Sequence, residues 1–262
     1  GFYLDGNTTA GTDALMDIRH TYLTKIINCA FTNSAGKGLQ IKTVIADTSD
    51  AQTSIELYNN EYSANASHGL YIVSDSRIAA PSNIQIGGQN TVENNAGWGI
   101  YIEKSSFITI HDYHFEYNEL GDICVDNSDN VRIYNNYVAR GSGETGTYSF
   151  GIINGSYNCR IYDNFYGKVT NIYANDYGLY LDNTTYENYY WGNSDFRGTS
   201  HSDLGTSGSL GVLKILDRGS NHSLNPSGNI VRMAENSPAH NENKYAVLNG
   251  DTFFGNQKLT NY

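Results

Sequence analysis

The sequence predicts an all-β solenoid of about seven coils, and three observations lead there. A short motif recurs six times: Gly-Leu-Gln-Ile at 38–41, Gly-Leu-Tyr-Ile at 69–72, Gly-Ile-Tyr-Ile at 99–102, Asp-Ile-Cys-Val at 122–125, Gly-Ile-Ile-Asn at 151–154 and Gly-Leu-Tyr-Leu at 178–181. Each copy has apolar residues two apart, the period of a β-strand. Asn and Gly are abundant while Pro numbers only 3 in 262 residues. Self-similarity with a period of a few tens of residues marks stacked repeats, each too small to bury its own apolar face.

One repeat, residues 99–121, justifies the elements in order. Gly99-Ile-Tyr-Ile102 is a first strand, with Ile100 and Ile102 on one face and Tyr101 on the other. Glu103 to Ser106 is a polar turn, Phe107 to Ile110 a second strand, Asp112-Tyr113 a corner and His114 to Glu116 a third strand with Phe115 inward. Second-strand ends align as Ile26, Ile55, Ile86, Ile110, Ile133 and Ile161. Two residues on stand Asn28, Leu57, Gly88, Asp112, Asn135 and Asp163, then Cys29, Tyr58, Gln89, Tyr113, Asn136, Asn164 and Asn193. The run Asn136, Asn164, Asn193 reads as an asparagine ladder at a tight corner, because Asn tolerates left-handed backbone and bonds neighbouring backbone. Three short strands per coil, apolar on one face and without hairpin turns between them, must stack on the neighbouring coils at about 4.8 Å. The coils predict a domain over 1–200. Residues 201–262 lose the register and read as a C-terminal cap or tail, which an open solenoid end needs.

Composition narrows the function. With 27 acidic and 16 basic residues the formal charge is −11. An acidic chain does not match nucleic acid, whose phosphates require a basic surface, nor an anionic membrane. No stretch approaches the ~20 apolar residues of a membrane span. The opening Gly-Phe-Tyr-Leu-Asp-Gly reads as the interior of a repeat rather than a signal peptide. Three scattered cysteines are not a disulfide framework. The 22 tyrosines suit sugar contact or subunit packing, each offering an apolar face and a hydroxyl.

The Gly-Ile-Tyr-Ile strands, the Ile-x-Asn/Asp-Asn corner and the variable third turn resemble the right-handed parallel β-helix of the pectate-lyase-like superfamily over roughly residues 20–200. That resemblance implies a polysaccharide or cell-surface glycan lying along the outward face of the first strands, and a protein located outside the cell or on a virion or cell surface. The face reads Gln40, Tyr71, Tyr101, Cys124, Ile153 and Tyr180, with Tyr71, Tyr101 and Tyr180 as sugar-binding residues. One position further stand Lys42, Val73, Glu103, Asp126, Gly155 and Asp182. Coil stacking puts Glu103 and Asp126 near the roughly 5 Å separation of retaining glycosidases. Clustered Asp residues on the first strand, as in the superfamily's hydrolases, are absent here. By analogy with its lyases, Arg140 in the Gly-rich stretch 140–148 would abstract a proton, with Glu144 and Glu103 as catalytic carboxylates. Lys104 would meet a substrate carboxylate, and Asp122 and Asp126 would hold Ca²⁺. A second polar cluster, His111 to Glu116, is tempered by its register, which puts Asp112 at a corner. Glu61, Glu93 and Glu116 would line up on three coils. The competing expectation is a non-catalytic viral fibre, adhesin or surface protein, with a homo-oligomer compatible with either.

Overall fold

The computed structural model describes residues 1–6, 13–19, 21–44, 53–76, 80–140, 148–168, 177–191 and 193–196, together with five short strands beyond 214. Its strands form three parallel sheets of eight, one per side of a solenoid. The first sheet runs from Met16–Ile18 through Leu39–Thr43, Leu70–Ser74, Trp98–Glu103, Gly121–Asp126, Tyr148–Ile153 and Tyr177–Leu181 to Ile215–Asp217. The second includes Thr53–Tyr58, Ser82–Gly87, Ser106–His111, Arg132–Tyr134 and Arg160–Tyr162. The third includes Ala30–Thr32, Glu61–Ser63, Thr91–Glu93, His114–Glu116 and Tyr137–Arg140. Eight strands per sheet differ slightly from about seven coils. Beyond residue 200, Ile215–Asp217 and Ser223–Leu224 extend the first and second sheets, while Ile230–Arg232, Tyr245–Val247 and Thr252–Phe254 pair antiparallel.

Alternation sorts every strand into core and surface. Leu39, Leu70, Ile100, Ile123, Phe150 and Leu179 stack in register along the inside of the first sheet, all fully buried. Ile26, Leu57, Ile86, Ile110, Ile133 and Ile161 line the second, and Phe31, Tyr62, Val92, Phe115, Val138 and Tyr166 the third. Each such side chain contributes roughly 1.5–3 kcal/mol by leaving water, so stability accumulates coil by coil.

The second coil corrects the sequence alignment. Leu57, not Ile55, pairs with both Ile26 and Ile86. The corner column is therefore Asn28, Asn59, Gly88, Asp112, Asn135 and Asp163, and its five non-glycine members all have φ between 52° and 61°. Asn60 then replaces Tyr58 in the ladder. The ladder donates and accepts at every step: Asn136 Nδ2 donates to the Ile110 carbonyl at 3.3 Å, and Asn164 Oδ1 accepts from the Asn136 N–H at 3.1 Å. Asn164 Nδ2 in turn reaches Asn193 Oδ1 at 2.9 Å. At Gln89, which is exposed, the ladder is interrupted, and Tyr113 from the following coil reaches back, its hydroxyl accepting from the Asn60 N–H.

The other two corners use the same device. Between third and first sheets, left-handed Asn33, Ala64, Asn94 and Tyr117 precede Ser34, Asn65, Asn95 and Asn118, which form a second buried ladder. Between first and second sheets, left-handed Lys104 and Asn127 precede Ser105 and Ser128, whose ladder continues to Ser156. A buried amide or hydroxyl at each corner satisfies the backbone that the strands leave unpaired.

Candidate functional site

The outer column of the first sheet begins Asp17, Gln40, Tyr71, Tyr101, Cys124, in register. Its next member is Gly151, not Ile153, and then comes Tyr180. Ile153 instead stands beside Asp126, in the place expected for Gly155. A β-carbon at Gly151 would lie 2.6 Å from the Tyr148 ring, so the glycine clears room for aromatic side chains.

Tyr71 and Tyr101 sit on neighbouring coils with ring centroids 5.5 Å apart. His68 stacks on Tyr101 at 4.9 Å and tilts against Tyr71 at 5.4 Å. Its Nδ1 accepts from the Trp98 N–H at 3.0 Å, so the proton of the neutral ring belongs on Nε2. Burial, reinforced by Lys37, pushes His68 down to about 4. Further along, Trp98 tilts against Tyr148 at 5.6 Å, and Tyr148 stacks on Tyr180 at 4.6 Å. His68, Trp98 and Tyr148 were not among the expected site residues. The legible signal was their place: His68 and Trp98 immediately precede the motif glycines Gly69 and Gly99, and Tyr148 closes the Gly-rich stretch.

The carboxylates lie at the C-terminal edge of the same face. Glu103 and Asp126 are register partners on adjacent coils, about 4.8 Å apart along the stack. A repeated contact crosses from each coil to the next. The Tyr71 hydroxyl donates to Glu103 Oε2 at 2.9 Å, and the Tyr101 hydroxyl to Asp126 Oδ2 at 2.5 Å. Burial first, and then these carboxylates, push both phenols far up, so they remain protonated donors. Tyr148, pushed up to about 12 mainly by burial, also keeps its proton. Lys104 Nζ pairs with Glu103 Oε1 at 2.9 Å, while Asn154 Nδ2 donates to Asp126 Oδ1 at 2.8 Å. The Asn154 N–H reaches Asp182 Oδ2 at 2.7 Å. Cys124, wholly buried between Tyr101 and Gly151, is pushed up by burial and then by Asp126, Asp182 and Glu103. Such a thiol is not a nucleophile.

The remaining expected residues do not join this group. Asp122 is buried, and its Oδ1 accepts from Asn118 Nδ2 at 3.0 Å, closing the second corner ladder. It takes the place that Gly99 holds one coil earlier, beside Trp98↔Gly121 in the register. An extended strand carries Asp122 and Asp126 about 13 Å apart, so they cannot share a Ca²⁺ ion whose ligands must lie within about 2.6 Å. Among the described residues no group of three or more His, Cys, Asp or Glu is placed to hold a metal. Arg140 ends a third-sheet strand, its backbone partnered with Lys168. It stands on the third sheet, whereas Glu103 ends a strand of the first. Glu144 lies outside the described residues.

The second polar cluster also resolves by register. Glu93 partners Glu116, but Ser63 rather than Glu61 stands opposite Glu93. Burial, then Glu116 and Glu61, push Glu93 up. Asp112 occupies its corner, bonded to His111 Nδ1 at 2.7 Å and to Asn135.

No protein-family model matches the sequence, and comparison with curated proteins finds no significant match. Among solved structures, the Azotobacter vinelandii mannuronan C-5 epimerase AlgE4 A-module superposes with a TM-score of 0.58 at 18% identity, over 80% of this chain and 54% of that one. The AlgE6 A-module from the same organism gives 0.57 at 16%, over 84% and 55%. DFA-IIIase from Arthrobacter chlorophenolicus A6, solved in complex with GF2, gives 0.57 at 11%, over 82% and 51%. These likenesses show the fold, a parallel β-helix. The chain spans about half the length of each of these structures.

Proposed function

We propose that this protein acts on polysaccharide, holding an extended glycan along the first-sheet face and hydrolysing it with Glu103 and Asp126. The observation that carries the proposal is the in-register carboxylate pair beside the His68, Tyr71 and Tyr101 rings. Aromatic faces accommodate the apolar side of sugar rings, and rings on the neighbouring coils of Tyr71 and Tyr101 suit a polymer. The structural relatives include a module named for mannuronan, which supports a glycan ligand.

The local partners divide the labour. Glu103, held between the Lys104 ammonium and the Tyr71 hydroxyl, is the carboxylate suited to attack the anomeric carbon. Asp126, which has no cation beside it, is left as the acid–base partner: protonated on one oxygen, it would pass that proton to the leaving glycosidic oxygen. A glycosyl ester on Glu103 would then be released by water that Asp126 deprotonates. The near-5 Å spacing suits this two-step retaining course rather than direct inversion. Asp122 and Asp126 do not fit one ion, so no step is assigned to calcium. Polymeric substrate puts the site of action outside the cell, or on a virion or cell surface.

A second reading has one observation of its own. Both carboxylates are already hydrogen-bonded by tyrosine hydroxyls, as in a face built for binding alone. The test is incubation with a panel of uronate and neutral polysaccharides, with and without Ca²⁺. New reducing ends without unsaturated ends support hydrolysis. Unsaturated ends would move the chemistry to elimination. Silence across the panel with binding intact would establish the non-catalytic reading.

A further inference from the structure

The second sheet presents a different outer face. Thr109, Arg132 and Arg160 follow one another in register on three coils, both arginines exposed. They floor a groove of about 210 Å³ rimmed by Asn130, Asn158 and the exposed ring of Phe107. No carboxylate lines it. Asp129, three residues before Arg132, is bonded to Asn130 Nδ2 at 2.8 Å; Asp163, three residues after Arg160, stands at its left-handed corner; and Glu56, further along the sheet, is paired with Lys25 at 2.7 Å. Two residues along the same strands runs an aromatic stack. His111 lies on Tyr134 at 5.1 Å and Tyr134 on Tyr162 at 4.9 Å, each pair within 10° of parallel.

Two guanidinium groups directly opposite each other on a sheet repel. A chain of charge −11 has abundant acids with which to neutralise them, yet neither arginine forms an ion pair among the described residues. Guanidinium is the side chain best matched to bidentate contact with carboxylate or sulfate. Its spacing here is one coil, about 4.8 Å, close to the length by which one pyranose ring extends a glycan. The neighbouring rings offer stacking edges at the same repeat.

We propose that the Arg132–Arg160 groove is a second glycan-binding site, separate from the first-sheet face and selective for an anionic polysaccharide bearing carboxylate or sulfate groups. A chain lying along the coil axis meets one guanidinium and one aromatic edge per coil, with the Asn130 and Asn158 amides at its side. This site needs no chemistry on the first sheet, and it stands whether or not Glu103 and Asp126 are catalytic.

Affinity electrophoresis of the full chain in gels carrying polygalacturonate, alginate or dextran sulfate, with neutral dextran as control, tests the inference. The wild type is retarded by at least one anionic polymer, not by dextran, and retardation fades with salt. Arg132→Gln/Arg160→Gln weakens that binding at least tenfold, the minimum expected for lost charge-assisted contacts, with an unchanged melting temperature. Arg132→Lys/Arg160→Lys recovers part of it. Glu103→Gln leaves it intact. Carboxylated and sulfated gels separate the two sources of anion. The inference is overturned if no anionic gel retards the wild type, or if the double glutamine variant binds as well as the wild type. It is also overturned if sedimentation shows that the variant loses an oligomer rather than a ligand, which would make this face a contact between copies.

Discussion

The first and second sheets are built by the same rule and present opposite chemistry. On the first, tyrosines at one column hydrogen-bond acids at the next, so that Tyr71 reaches Glu103 and Tyr101 reaches Asp126. On the second, an aromatic stack runs beside two arginines that form no ion pair among the described residues, Arg160 lying over the Tyr189 ring at 6.0 Å. Inside, both sheets are ladders dominated by Ile, Leu and Val, with Phe150 in the first and Tyr190 in the second. The core fixes every inward position and leaves the outward ones free, so function in a solenoid is written in the columns that stability does not read.

That contrast can be broken one face at a time. The largest expected effect is on the first face. Glu103→Gln should cut glycan turnover by about 10²–10⁴-fold, the usual worth of a positioned proton-transfer or nucleophilic group, with an unchanged melting temperature. Arg132→Gln/Arg160→Gln should leave turnover of short oligosaccharides untouched. A lesion shared by both faces comes next. Asn164→Ala removes an acceptor from Asn136 and donors to Ile133 and Asn193 inside the corner. It should cost about 3 kcal/mol in urea unfolding, weakening both faces together.

The third prediction concerns pH. The unfolded chain protonates His68 below about 6.5, while the folded chain refuses that proton until about 4. Stability from His68 is therefore present above pH 6.5 and is lost as pH falls towards 4, about 2 kcal/mol of it by pH 5. His68→Asn, which keeps an acceptor for the Trp98 N–H, should flatten the fall in unfolding free energy between pH 7.5 and 5. An equally steep fall in the variant would remove His68 from the account. Smaller still is Tyr71→Phe, which deletes one hydrogen bond worth about 0.5–1.5 kcal/mol and should raise KM several-fold with kcat little changed. Chelation should have the least effect: EDTA leaves turnover unchanged if, as the strand geometry requires, Asp122 and Asp126 hold no common ion.

Much of this was legible in the sequence because a strand's period of two sorts inside from outside. Glu103 beside Asp126, Tyr71 beside Tyr101 and the Asn136–Asn164–Asn193 corner all follow from motif spacing. Register was less legible where a slip of two preserves the pattern. Thr53–Tyr58 offers both Ile55 and Leu57 to the core, and only the left-handed Asn59 decides between them. The slip at Gly151 has the same origin: the strand starts at Tyr148, three residues before the glycine that resembles the motif. A one-residue error would have inverted faces and been visible at once. Asp122 was misplaced for another reason. Its column holds glycine in the neighbouring coil, and a carboxylate there completes the amide ladder through Asn118 instead of facing solvent.

The most direct test of the central claim, that Glu103 and Asp126 work as a pair, is the anomeric configuration of the first-formed product, read by proton NMR during digestion of a glycan the wild type cleaves. Retention of the bond's configuration, with product formation lost in Glu103→Gln, is the result that the one-coil spacing predicts. Inversion, unsaturated chain ends, or undiminished product from Glu103→Gln would contradict it.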